Sequence, residues 1–263
     1  MLRSSKDLER YAIQATDGLI GHVRDFYFDD KAWVVRYLVV ETTGWLSNRE
    51  VLISPISIGH CDDTKDLLTV SLSKAQVKAS PDLDTHHPIS RQHEIDYLGY
   101  YGYPYYWDGN GLWGAGSFPS LASTAAHDSD VHGALSHASP MRESGSASGD
   151  DPHLRSINAV HNYKIQASDG EIGHVTGFLV EEGTWAVRYL VVETSHWWSG
   201  NQVLIVPEWI RAVSWLDETV NVVVTRQQIR TAPAYDAALL LEREDEDALF
   251  KHYGSPGYWG QPF

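Results

Sequence analysis

The segment Tyr11-Ala-Ile-Gln-Ala-Thr-Asp-Gly-Leu-Ile-Gly-His-Val23 returns 152 residues later as Tyr163-Lys-Ile-Gln-Ala-Ser-Asp-Gly-Glu-Ile-Gly-His-Val175. The same offset carries Trp33-Val-Val-Arg-Tyr-Leu-Val-Val-Glu-Thr42 onto Trp185-Ala-Val-Arg-Tyr-Leu-Val-Val-Glu-Thr194, and Val51-Leu-Ile-Ser-Pro55 onto Val203-Leu-Ile-Val-Pro207. It still holds where Leu2-Arg-Ser4 meets Leu154-Arg-Ser156 and where Tyr101–Trp107 meets Tyr253–Trp259. A gap-free register over this length marks a tandem duplication. Residues 2–107 form one copy and 154–263 the other.

Each copy reads as β structure. Ile20 to Asp30 alternates and is rich in aromatics, and Val34 to Thr42 is β-branched with apolar groups on both faces. Val51–Ile53 and Leu67–Leu72 are shorter strand-like runs, matched by Val203–Val206 and Thr219–Thr225. Asp17-Gly18 and Asp169-Gly170 are turn dipeptides in which Gly supplies the positive φ, and Glu182-Gly183 does the same. Apolar bulk on both faces of one strand suits a small barrel, closed or nearly so. Short helical turns are expected at Ser73–Lys78 and Arg226–Arg230, with longer helices at Ser90–Leu98 and Asp236–His252. The expected fold is mostly β: two small barrels in tandem, each followed by short helices and an aromatic tail.

Between the copies the material changes. Asp108 to Pro152 is rich in Gly, Ser, Ala and His, and carries six acids against Arg142. Such a composition offers little apolar surface to offset ordering entropy, so residues 108–153 are expected to be a flexible, disordered linker.

Charge narrows the function classes. With 35 acids against 20 bases the net charge is −15, which leaves nothing to neutralise a run of phosphates or an anionic membrane surface. Nucleic acid is therefore not an expected partner, and no apolar run of about 18 residues suggests insertion into a bilayer. Met1 to Arg10 is charged throughout and unlike a signal peptide, so a cytoplasmic location is expected. The single cysteine, Cys61, excludes an intrachain disulfide and a cysteine-built zinc site.

Asp-Gly-x-Ile-Gly-His-Val, an aromatic-rich strand, Val-Arg-Tyr-Leu-Val-Val-Glu-Thr and then Val-Leu-Ile-x-Pro together resemble the PRC-barrel family. The resemblance covers about Ser4–Ser80 and Ser156–Ala232. That family takes its name from the cytoplasmic domain of the photosynthetic reaction centre H subunit, and its barrel also forms the C-terminal half of a bacterial ribosome-maturation factor. The resemblance implies a protein-binding or structural module. It also suggests an alternative, an H-subunit-like accessory subunit beside a photosynthetic or respiratory membrane complex. From the sequence, neither the spanning helix of the one nor the N-terminal domain of the other is expected here.

Residue by residue, chemistry is hard to assemble. His22 and His174 share a motif position between Gly and Val, and a rim histidine, hydrogen-bonded or solvated, accounts for both. Asp17 and Asp169 are explained by their turns, and one carboxylate makes a poor cation site. Arg36 and Glu41 lie five apart, as do Arg188 and Glu193, hence on opposite strand faces. His127, His132 and His137, with His153 beyond, could chelate a metal adventitiously and no more. No catalytic residue, cofactor or specific metal site is expected. An unrecognised metal-dependent enzyme stands as the least favoured reading.

Aromatic clusters are the remaining signal. Trp45 and the pair Trp197–Trp198 fall in loops between strands, while Tyr101, Tyr106, Trp107, Tyr253, Tyr258 and Trp259 crowd the two tails. Such groups either anchor a partner protein, where Trp and Tyr dominate, or cover an edge of their own barrel. Because the copies retain matching surfaces, the two barrels are expected to pair within the chain as a pseudo-dimer. The expected contact groups are Val34–Thr42, Ala186–Thr194 and the loop tryptophans.

Overall fold

The computed structural model describes residues 1–46, 49–81, 89–121, 153–194 and 201–260. In the first repeat the elements run β1 (Leu2–Ser4), α1 (Ser5–Leu8), β2 (Ala12–Ala15), β3 (Gly18–Asp29), β4 (Val34–Thr42), β5 (Glu50–Ile53), β6 (Ile58–Asp62), β7 (Leu67–Val70), α2 (Lys74–Ala79) and α3 (Arg91–Tyr101). The second repeat follows the same order: β8 (Leu154–Ser156), α4 (Ile157–Val160), β9 (Lys164–Ala167), β10 (Gly170–Glu181), β11 (Val187–Thr194), β12 (Gln202–Ile205), β13 (Ile210–Ser214), β14 (Thr219–Val222), α5 (Arg226–Arg230) and α6 (Arg243–Tyr253).

Both sheets share one strand order, β5-β4-β3-β2-β7-β6 and β12-β11-β10-β9-β14-β13. The two ends of each order are consecutive in the chain, joined by a short 3-10 turn at Pro55–Ser57 or Pro207–Trp209, so each sheet curls back on itself. A shift in register near Arg24, and another near Thr176, adds the local twist that such curling needs. Every residue of β4 is buried except Glu41, as its two apolar faces foretold.

The repeated Ile-Gly-His motif now has a steric reason. A Cβ on Gly21 would stand 1.9 Å from the carbonyl oxygen of Glu41, and one on Gly173 would stand 2.1 Å from that of Glu193. Only a residue without a side chain lets β3 lie so close to β4 at this point. Asp17 and Asp169 are likewise structural: their Oδ1 atoms accept the backbone N–H of Lys74 at 2.8 Å and of Arg226 at 2.7 Å, tying the turn to the following helix.

A feature not foreseen in the sequence is that the repeats trade strands. β1, from the first repeat, pairs with β10 of the second, with Leu2 opposite Glu181 and Ser4 opposite Leu179. β8 reciprocates on β3, with Leu154 opposite Asp29 and Ser156 opposite Tyr27. Each seven-stranded sheet therefore contains one strand from the other repeat. At the seam Val34 and Ala186 form an antiparallel bridge; the Val35 N–H donates to the Trp185 carbonyl at 2.9 Å and the Val187 N–H to that of Trp33 at 2.7 Å. Trp33 and Trp185 hold φ at 53° and 60°, an uncommon conformation for bulky residues that costs about 1–2 kcal/mol each. The cross-repeat hydrogen bonds to their carbonyls help to hold it.

Two expectations shift. The helix expected over Asp236–His252 begins at Arg243, where a reciprocal capping box of Glu242 and Asp245 starts it, leaving Leu239 and Leu240 exposed before it. Within residues 108–121, all expected in the linker, Phe118 and Leu121 are exposed, but Trp113 is buried and Leu112 half-buried. Average composition hid these two large apolar groups among glycines. Residues 122–152, with His127, His132 and His137, lie outside the described residues.

Candidate interaction surface and the polar network beneath it

The helical tail is bolted to each barrel by one buried carboxylate. Glu94 on α3 is 1% exposed. Its Oε1 accepts the hydroxyls of Tyr37 at 3.2 Å and Tyr106 at 2.6 Å, and its Oε2 lies 2.9 Å from His153 Nε2 and 3.1 Å from Arg91. The second repeat rebuilds the set at the same offset. Glu246 accepts the hydroxyls of Tyr189 at 2.7 Å and Tyr258 at 2.9 Å and pairs with Arg243 at 2.8 Å. Burial, followed by the neighbouring carboxylate, pushes the Tyr37 phenol well above its ordinary range, and Tyr189 is raised in the same way. These hydroxyls therefore stay protonated and serve as donors.

A second buried group sits alongside. Arg36, 3% exposed, pairs with Asp29 at 3.4 Å and donates to the Leu112 carbonyl at 2.5 Å. Its guanidinium lies 3.8 Å from the ring centre of Tyr106 and 4.8 Å from that of Trp113. Arg188 repeats the theme, with Glu181 at 2.6 Å and the Tyr258 ring at 4.2 Å. Glu41, which the strand pattern placed on the opposite face from Arg36, instead meets Arg24 at 3.3 Å. Sequence reasoning missed Glu94, Glu246, Arg91 and Arg243. The signal was there: Arg-x-x-Glu recurs at the 152 offset inside tails that otherwise differ.

The aromatic candidates separate by position. Trp45 does not reach across the seam; its Nε1–H donates to the Ile20 carbonyl at 2.8 Å within its own repeat, and Lys74 lies over its ring. Tyr106 is buried, as described above. Tyr101 stacks on Tyr103 at 5.2 Å, and Tyr253 packs on Trp209 at 4.1 Å. Trp107 stacks on Tyr105 and carries Arg91 over its ring at 3.9 Å. Trp259 is 39% exposed with Arg243 over its face at 4.2 Å, and Tyr258 is half-buried beside it. Trp197 and Trp198 lie outside the described residues. Most of each tail thus packs on its own repeat; Trp259 is exposed, whereas its counterpart Trp107 is half-buried.

Other polar groups have local explanations. His22 is exposed at the strand rim and His174 is half-exposed. Cys61 donates to Asp63 at 3.4 Å, and partial burial pushes its thiol up to about 11. Among the described residues, no three His, Cys, Asp or Glu side chains gather as a metal-binding group, and no helix is long and apolar enough to cross a membrane.

No curated protein matches this chain. The family model of the PRC-barrel domain matches residues 3–77, from the exchanged strand β1 through most of α2. Over these residues the first repeat is therefore similar to a PRC-barrel domain.

Proposed function

We propose that this protein is a non-catalytic interaction module made of two PRC-type barrels, the second repeat being a barrel of the same kind as the first. The reciprocal strand exchange carries the reading. It ties two equivalent surfaces together about a pseudo-twofold axis, which suits a scaffold that holds partners in a defined geometry. The polar chemistry points the same way: Glu94, Glu246, Arg36 and Arg188 are engaged in fastening tails to barrels. The partner is a protein, met through the aromatic tails at the exposed Trp259 and the half-buried Trp107, and the barrels stay paired within one chain while it binds.

Crosslinking pulldown from cells that express the protein, read by mass spectrometry, tests the reading. A recurrent protein partner, lost when Trp107 and Trp259 are both replaced by Ala, is the expected result. An empty pulldown together with a strictly monomeric isolated chain would overturn it.

A further inference from the structure

In the first repeat an indole fills the gap between its own barrel and a turn of the second. Trp113 is buried, its Nε1–H donates to the Thr184 carbonyl at 2.7 Å, and Arg36 lies against both its ring and that of Tyr106, the two rings being set edge to face. The offset of 152 maps Arg36 onto Arg188, Tyr106 onto Tyr258 and, in the opposite direction, Thr184 onto Ala32. Those three residues line a single cavity of about 370 Å³, with Lys31, Trp33 and Ile210 among its other walls. Its position is the pseudo-twofold counterpart of the Trp113 seat.

We propose that this cavity receives a tryptophan side chain borne on an extended segment of a partner protein. The guanidinium of Arg188, laid over Tyr258 at 4.2 Å, offers the cationic plate on which Arg36 holds Trp113 in the twin. The carbonyl of Ala32 corresponds to the one that accepts the Trp113 N–H. Lys31 and Glu208 also line it where the other seat has Gly183 and Ile56, so it carries one added charge of each sign. The proposal rests on the interaction-module reading and specifies the chemistry of its partner.

A fluorescently labelled peptide copying residues 108–116, Asp-Gly-Asn-Gly-Leu-Trp-Gly-Ala-Gly, is the probe, and anisotropy against the full chain is the readout. Saturable binding is expected, weakened at least about tenfold when the peptide tryptophan becomes Ala, the loss of one well-packed aromatic anchor. Ala32→Trp, which fills the seat from its rim and leaves the Arg188–Glu181 pair intact, is expected to weaken it equally. Absence of binding to the full chain overturns the seat. Binding that requires removal of residues 261–263 assigns the seat to the chain's own last residues and overturns the partner assignment. A peptide that fails while the crosslinking pulldown still recovers a partner defeats this proposal and leaves the broader reading standing.

Discussion

Val34 and Ala186 occupy the same position in the two repeats, and they face each other across an antiparallel bridge. A residue that meets its own counterpart lies at a twofold axis, so the axis relating the repeats passes here. The exchanged strands β1 and β8 flank it, each adding to the other repeat's longest strand.

Cutting the connector should therefore leave the particle whole. A specific protease site placed within residues 122–152 is expected to yield two fragments of similar size that elute together at the volume of the intact chain. Each fragment supplies a strand to the other's sheet, so parting them exposes two backbone edges. Small-angle scattering of the uncut chain should show a single compact particle. Fragments that separate without denaturant would contradict the exchange.

Glu94→Ala should destabilise the chain by about 3–5 kcal/mol in urea unfolding, because it leaves the buried hydroxyls of Tyr37 and Tyr106 without their acceptor and His153 without its carboxylate. Glu94→Gln keeps an acceptor oxygen for both hydroxyls and should cost about half as much. Glu246→Ala should fall between the two, since among the described residues no histidine joins its cluster in the second repeat.

Arg36→Lys is not a conservative change. The guanidinium lies over the Tyr106 ring and beside that of Trp113 while donating to the Leu112 carbonyl and Asp29, and a lysine ammonium cannot do both. A loss of about 2–3 kcal/mol is expected, against about 1 kcal/mol less for Arg188→Lys, whose side chain is 11% exposed rather than 3%. Equal losses at the two positions would show that contact with Trp113 contributes nothing.

Gly21→Ala and Gly173→Ala should each cost about 3 kcal/mol or more, although Ala is the smallest possible addition. The new methyl would stand 1.9 Å or 2.1 Å from a strand carbonyl oxygen, so β3 and β4, or β10 and β11, must part. Thermal unfolding checks this, with Gly59→Ala as the control, because its added Cβ meets Thr69 at an ordinary 3.6 Å.

Cys61 should alkylate slowly. Burial raises its thiol from 9.0 to about 11, so the thiolate fraction at pH 8 falls nearly a hundredfold. A more basic thiolate is also the better nucleophile, which returns a factor of about six to ten and leaves a net slowing on the order of tenfold. Because a raised thiol pKa means the reactive form is gained only as pH rises towards it, the rate should climb about tenfold per pH unit between 8 and 10. Iodoacetamide labelling of the folded chain against the urea-unfolded chain measures it.

Which parts of this were legible in the sequence follows from how local each cause is. β4 was readable because β-branched residues on both faces fit only a strand covered on both sides, and its bounds, Val34–Thr42, came out unchanged. The Asp-Gly turns were readable from the conformational freedom of Gly18 and Gly170, which hold φ at 139° and 135°. Glu94 was not, since a carboxylate in a polar helix looks like any solvated one until Tyr37, Tyr106 and His153 converge on it from distant positions. Trp113 was lost in a glycine-rich stretch because its burial depends on Thr184 of the other repeat.

The chain by itself determined that there are two copies of one β unit, where its longest strands lie and where its Asp-Gly turns fall. These follow from periodicity, turn chemistry and an internal register, all carried by neighbours in sequence. Tertiary structure alone decided which sheet each terminal strand joins. Leu2-Arg-Ser4 and Leu154-Arg-Ser156 are identical, and the strands that receive them, β10 and β3, are copies of each other. Backbone hydrogen bonding is the same for either pairing, so no local property of those three residues chooses between self and neighbour. The choice falls to what surrounds the strand: the Val34–Ala186 bridge, the carbonyls of Trp33 and Trp185 turned across the seam, and Asp25 accepting the Asn158 N–H at 3.1 Å from the other repeat.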